Sequence, residues 1–552
     1  MKTLNLTSLT AFMIPFAAYF AAQYAAAQEN TYYIWAGAEA ANEEVDPFTA
    51  GNWSVSDTEY AAPPEGTDMN SPDANWVFDY GAYLPVSGRQ DGIYYRIWHS
   101  MFQANSISII NRNVMDTGYW AGDGFHQTGG STSIKLVSGA SNPYWNIGVF
   151  TYTGAAPESY WDSGVTFGAS NSNTSQAEIS VGEMNIGSGE NYARFNIGSE
   201  AAGIGRATID EGDTHIGDSV YISDSAGPKR LTVFGNFNIS GNAIVNMNVW
   251  DNAADAVHSE SVPDVAIDGI VNMARNSSGK SPIWNLLNRS STVTWARGDP
   301  AMPATDTYIK IGGLAGTGTV ANNSRTLEAS AVKLIFANKT DCEFSGAFTE
   351  NSVNMDGKKT ELNTVMSVKM AGRDGAKQII RADAEFTGGV EVESGALIIH
   401  STSALGKLAM TGGGFGGIDG GVTVSSAEWL GGDIIFCNAD ALASGLPDML
   451  RIEGTFSKSG GGKIGIDFSG FDASAFIEDG TVLELITANA LEGFSEDAND
   501  DFAAKNLLNG FADFEWAGNT LTVSFSAVPE PAAIAAILGA VALVSAALRR
   551  RK

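Results

Sequence analysis

Cysteine is almost missing from this sequence: 552 residues hold two, Cys342 and Cys437. Neither stands in a Cys-x-x-Cys pair or a Cys/His cluster, which excludes zinc and iron–sulfur centres. One disulfide is open to them in an oxidising compartment; the other reading is two small buried apolar side chains. Cations are scarce as well, 32 Lys+Arg against 62 Asp+Glu for a net charge of −30. A polyanion of this size repels phosphate and no basic stripe offsets it, so nucleic acid is excluded as a partner. The five histidines, His99, His126, His215, His258 and His400, show no metal-ligand spacing. Gly-x-Ser-x-Gly, His-Glu-x-x-His and P-loop motifs are all missing. No cofactor and no metal are therefore expected. Charged residues make up only 17% of the chain, below the usual quarter of a soluble protein.

What is present is glycine, 63 residues, with 44% hydrophobic and 10% aromatic residues. Such a chain is too apolar for wholesale disorder. It reads as many short strands joined by tight turns, with Asn-, Ser-, Thr- and Gly-rich surfaces. The length allows two to four domains or one long repetitive one.

The two ends carry distinct signals. Lys2 gives a positive start, an apolar stretch runs from about Leu9 to Ala22, and Ala25-Ala26-Ala27 precedes Gln28. Residues 1–27 thus read as a secretory signal helix with an Ala-x-Ala site (Ala25, Ala27) for signal peptidase, leaving Gln28 as the new first residue. The far end reads Val528-Pro529-Glu530-Pro531, an uncharged run Ala532–Leu548, then Arg549-Arg550-Arg551-Lys552. As a helix the run spans about 25 Å, the short end of what a bilayer needs. The terminal cations would hold that end on the cytoplasmic side. The prolines stop any upstream helix and keep the motif extended.

In that order, motif, apolar helix and basic tail, residues 528–552 resemble the PEP-CTERM sorting signal of exported proteins. The resemblance implies recognition by a membrane-embedded exosortase, cleavage near the motif, and transfer to the cell surface or matrix. Pro529, Glu530, Pro531, Arg549, Arg550 and Arg551 would then be recognised by another enzyme, not act as catalysts.

Between the ends, residues 28–100 are rich in aromatics and read as an N-terminal cap over the first rung of a stack. The competing reading is a sugar-stacking platform with Trp35, Trp53 and Trp76 as its flat faces. Residues 101–307 show short alternating strands and a degenerate echo: Met184-Asn185-Ile186-Gly187-Ser188, Phe195-Asn196-Ile197-Gly198-Ser199, Thr214-His215-Ile216-Gly217-Asp218 and Phe237-Asn238-Ile239-Ser240-Gly241. Units this short bury an apolar face only by stacking, the logic of a β-solenoid. A β-sandwich or jelly roll is the alternative fold. Asn276–Gly298, with Pro303, reads as a loop-rich insertion.

From 308 to 447, Ile309-Lys310-Ile311-Gly312-Gly313, Phe386-Thr387-Gly388-Gly389-Val390-Glu391-Val392 and Gly395-Ala396-Leu397-Ile398-Ile399 resemble the autotransporter-associated β-strand repeat. That family implies a right-handed parallel β-helix. Arg373–Lys377 departs from its plainer Gly/Ser segment, and no run of amphipathic strands long enough for a translocating barrel follows. At roughly 25 residues per coil, about 15 coils would give a rod of roughly 70 Å. Residues 448–527 read as closing antiparallel strands, with Ile464–Phe468, Val482–Ile486 and Leu521–Phe525 as examples.

Two acidic segments are weighed as calcium loops and set aside. Gly412–Asp419 resembles a calcium-binding nonapeptide, but its aspartate falls one place late and no tandem copy exists, so a turn between coils is expected. Asp497–Asp501 opens like an EF-hand loop, but Phe502 stands where Gly is required and Leu508 where Glu is, so a solvated acidic loop is expected.

The expectation is an all-β, right-handed parallel solenoid with terminal caps, a signal helix and a C-terminal transmembrane helix. Its function would be non-catalytic, at the cell surface or in extracellular matrix, in contact with glycans. A polysaccharide-active β-helix enzyme (lyase or glycosidase) and a carbohydrate-binding surface protein are the alternatives; the first needs clustered acids on one face.

Overall fold

In the computed structural model the described residues are 32–34, 70–80, 93–97, 101–111, 120–121, 124–125, 132–137, 144–154, 164–170, 178–187, 192–198, 201–210, 213–217, 230–241, 243–248, 259–286, 307–322, 330–350, 352–353, 359–360, 364–436, 450–477, 480–528, 540–545 and 549. They are overwhelmingly β. The chain divides into two compact units, Met1–Lys369 and Met370–Lys552.

The first unit is a parallel stack. One ladder begins with Tyr32–Ile34, followed by Ser71–Tyr80, Met101–Asn111, Tyr144–Gly154, Glu178–Gly187 and Ala201–Asp210. In later coils the strand is broken in two, as in Arg230–Val233 with Phe237–Ser240 and Val265–Ile267 with Val271–Ala274. A second ladder of nine parallel strands runs from Ile93–Ile97 to Ala347–Thr349. A full coil is thus three strand segments, such as Arg230–Val233, Phe237–Ser240 and Ile244–Asn248. The nine rungs of the second ladder, at about 4.8 Å each, span roughly 40 Å.

Alternation decides which residues go inside. Trp76, Ile107, Phe150, Met184, Ala207, Phe237, Val271 and Leu314 stand above one another in register, each fully buried. A second buried column runs Ile147, Val181, Ile204, Val233, Ile267, Ile311 and Phe336. A strand of four or five residues buries too little alone; with like side chains above and below, each large residue contributes roughly 1.5–3 kcal/mol of transfer energy.

The corner between the two columns is glycine. A Cβ on Gly205 would lie 2.1 Å from the carbonyl oxygen of Gly182. One on Gly235 would lie 2.6 Å from that of Gly205, and one on Gly269 2.3 Å from that of Gly235. Here glycine is needed for backbone approach between coils.

The register also corrects the expected repeat. Met184 and Phe195, partners in the 11-residue echo, lie in different ladders of one coil. The vertical neighbour of Met184 is Ala207, 23 positions on, whereas that of Val271 is Leu314, 43 positions on. The echo marks one strand, not one coil, and variable connections abolish a fixed 25-residue period. The expected loop-rich insertion also contains a rung: Ile283–Asn285 is a strand, and Trp284 is fully buried between Val245 and Val320.

The second unit stacks in the same way. Leu397, Phe415, Ile434 and Ile466 form a buried column at spacings of 18, 19 and 32 positions. Beside it Val390, Leu408, Ala427, Phe456 and Leu491 are in register. Gly412–Gly417 is not a turn but part of the strand Ala404–Ile418, with Phe415 1% exposed.

The end of this unit is closed by a hairpin, Gly510–Ala517 with Thr520–Ala527, antiparallel to itself and to Leu483–Thr487. Of the strands expected to be antiparallel, Ile464–Asp467 is instead parallel to both its neighbours. Leu483–Glu492 is parallel to Leu450–Lys458 on one side and antiparallel to the hairpin on the other. Two aromatic clusters underlie the closure: Phe436, Phe468, Phe471, Phe476 and Phe525, and Phe456, Phe494, Phe502, Phe514 and Trp516.

Residues 540–545 are helical and exposed. Among the described residues no helix is long and apolar enough to cross a membrane. The signal segment 1–27 lies outside the described residues, as does most of the C-terminal apolar run.

Candidate functional site

Most of the sequence-derived site residues fall outside the described set. Ala25, Ala27, Gln28, Trp35, Trp53, Pro529, Glu530, Pro531, Arg550 and Arg551 are in that group, while Arg549 is helical and exposed. Trp76 is described, and there the structure corrects the sugar-stacking reading. Its side chain is 0% exposed and packs in the first buried column over Ile107. A sugar face cannot reach that ring, which stands between the rungs of Tyr33 and Ile107.

Three polar clusters stand out. The first is a corner where successive coils of the second unit turn. His400 Nδ1 lies 2.8 Å from Thr402 Oγ1 and 3.3 Å from Asp383 Oδ1, and its Nε2 lies 3.9 Å from Asp419 Oδ2. Thr402 donates its hydroxyl to Asp383. Asp419 holds a left-handed backbone, φ 64°, and its carbonyl accepts the Ser401 hydroxyl. Hydroxyl, imidazole and carboxylate are thus together, the raw material of a nucleophilic triad. The arrangement does not complete one. The Asp419 contact is beyond hydrogen-bond length, and the threonine proton goes to a carboxylate rather than to imidazole. These residues were missed in the sequence because they are joined by the coil period, 17 to 19 positions, and not by a local motif.

The second cluster is in the first unit. Glu260, on the turn bridging Ser259 and Val262, accepts from Lys333 and, at 2.7 Å, from Lys369. Lys369 is buried. Partial burial disfavours the charged Glu260 carboxylate, yet the two lysine hydrogen bonds and their positive charges prevail and hold it below the ordinary carboxylate range. One carboxylate therefore straps a turn across strands 73 and 109 residues further along.

The third lies in the expected acidic loop, where Asp497 and Asp500 are exposed but Asp501 is not. Asp497 caps a short helix, Ala498–Asp501, accepting from the Asn499 backbone N–H. Asp501 is buried, paired with Lys458 at 2.8 Å and accepting from the Ser495 N–H. It is not a solvated carboxylate. Lys458 in turn lies 5.9 Å from the ring centre of Trp429. The Asn499 amide also serves the hairpin edge: it accepts from Phe514 N–H and donates to Phe514 O and Asp513.

Of the cysteines, Cys342 is a buried free thiol that donates to the Thr340 carbonyl, with burial raising its pKa. Cys437 is outside the described residues. Among the described residues no group of three or more His, Cys, Asp or Glu is placed to hold a metal ion.

The outward face of the first unit carries a column of uncharged polar groups: Ser108, Thr151, Asn185, Thr208, Asn238 and Asn272 in register over six coils. Asn272 donates to Asn238 at 2.9 Å. Such bonds join one coil to the next, so they serve the stack.

Comparison with family models, with curated proteins and with solved structures gives no match to this chain.

Proposed function

We propose that the protein is a non-catalytic, exported β-solenoid of the cell surface or extracellular matrix, recognised and trimmed by an exosortase-type membrane enzyme at Pro529-Glu530-Pro531. The solenoid is read as right-handed, after the repeat family its middle resembles. The observation that carries this reading is the coil-to-coil ladder: the polar clusters of both units tie one coil to another, as suits a supporting body. The ordered C-terminal triple of motif, apolar run and basic tail supplies the destination. The surface is poor in cations, which favours neutral glycans as contacts.

The test is a chain with Pro529, Glu530 and Pro531 all replaced by Ala, followed by size and fractionation in an exosortase-bearing host. The account expects a longer product retained in the membrane. Unchanged processing and release would remove the sorting reading. The alternative enzyme reading is answered by reducing-end and unsaturated-sugar assays on a panel of neutral glycans. Activity there, lost in Asp383→Asn or Asp419→Asn, would replace the present proposal.

A further inference from the structure

The closing hairpin has an outer face that changes character along its length. Phe514, Leu521 and Val523 point inward, at 3%, 0% and 0% exposure. Alternation therefore puts Phe511, Asp513 and Glu515 outward on one strand, with Thr522, Ser524 and Ser526 opposite them. Val528 continues this outward series one step beyond the last pair. At the turn end the outer face carries Glu515, and Asp513 is the outward residue next to Phe511. At the open end three apolar side chains are exposed, Phe511 at 56%, Val528 at 51% and Leu508 at 52%, beside the Asp472 carboxylate, which accepts from the Asn509 amide. The apolar end is the one from which the chain leaves the hairpin.

We propose that this apolar end is a membrane-contacting foot, seated in the headgroup layer of a lipid bilayer while the precursor is still anchored. The inference rests on reading Ala532–Leu548 as the membrane segment. Three residues separate Val528 from Ala532, and the four Cα-to-Cα steps reach at most about 14 Å even when fully extended. The headgroup layer is itself about 5–7 Å thick on each side. A body tethered that closely presents whichever surface surrounds the exit point. Here that surface presents Phe511, Val528 and Leu508, while the Glu515 carboxylate lies two outward positions further along the strand. Phenylalanine, valine and leucine gain from the interface, so this end of the hairpin faces it. A foot of this kind would also hold Pro529–Pro531 at a fixed height above the membrane, where a membrane-embedded enzyme must find it.

The test uses the full chain with Cys342→Ala and Cys437→Ala, reconstituted into phosphatidylcholine vesicles. A spin label is placed through Phe511→Cys in one sample and Glu515→Cys in another; both positions are exposed, so neither label disturbs the core. Flotation of the vesicles first reports anchoring. Collision rates with oxygen and with a water-soluble nickel complex then report depth. The expected result is a floating protein whose label at 511 favours oxygen several-fold more than the label at 515. A floating protein with equal ratios at both sites overturns the foot alone. A protein that stays with the aqueous fraction overturns the foot and the anchor reading together.

Discussion

Gly205 sits where two coils touch backbone to backbone, and that contact sets what the position tolerates. Its missing Cβ would lie 2.1 Å from the Gly182 carbonyl oxygen, an approach that forces the coils apart. Gly205→Ala is expected to lower the unfolding free energy by about 1–3 kcal/mol, the usual cost of overpacking, measured by urea titration. Gly461, with open space around its Cβ position, should tolerate the same change with no measurable effect. Trp76 makes the complementary case. Fully buried in the first column, it should cost about 3–5 kcal/mol as Trp76→Ala, and glycan pull-down should follow the folded fraction only. Loss of glycan binding by a fully folded variant would restore the sugar-platform reading. Tryptophan in an aromatic-rich segment does not announce whether it faces in or out; its neighbours two positions away, Ala74 and Phe78, are apolar on either reading. Only the register with Ile107 decides it.

At the scale of elements, ties between distant strands decide stability. Lys458 and Asp501 are 10% and 3% exposed at the side chain and 43 positions apart. Asp501→Asn leaves a buried ammonium without its counter-charge and should destabilise the second unit by about 3–5 kcal/mol, seen as an earlier transition in a thermal melt. The Glu260 strap is tested by pH. Its folded pKa lies below the ordinary glutamate value, so its stabilisation is present above that value and fades as pH falls through the folded pKa. Wild type should therefore exceed Glu260→Gln in stability at pH 7, with the gap shrinking as acidification below the ordinary glutamate range protonates the folded carboxylate. A gap that does not shrink on acidification to the limit of the folded state would show that the carboxylate's charge is not its source.

Strand identity was largely legible in the sequence, since period-2 alternation and glycine punctuation are local. Coil length was not. The Asn-Ile-Gly echo reports the shape of one rung segment, and nothing in Met184–Ser188 says that its neighbour is Ala207 and not Phe195. The same gap hid the His400 corner, whose members meet only once the coils are stacked. Direction was misread at Ile464–Asp467 for a related reason: a strand next to the closing hairpin shares its composition yet still belongs to the parallel stack.

For the whole molecule, the account joins a stack of parallel coils to a pair of processing signals. The coils explain the composition. Low charge follows from strands that alternate between a buried column and an uncharged polar one, and abundant glycine from corners where backbones meet. On the proposed reading the ends supply the destination. The measurement that tests this union most directly is the intact mass, with terminal sequencing, of the form found outside the cell. The account predicts a chain that begins at Gln28 and stops close to Pro529–Pro531, without the apolar run or the arginine tail. An extracellular or cytosolic chain that keeps both Met1 and Lys552 would contradict it.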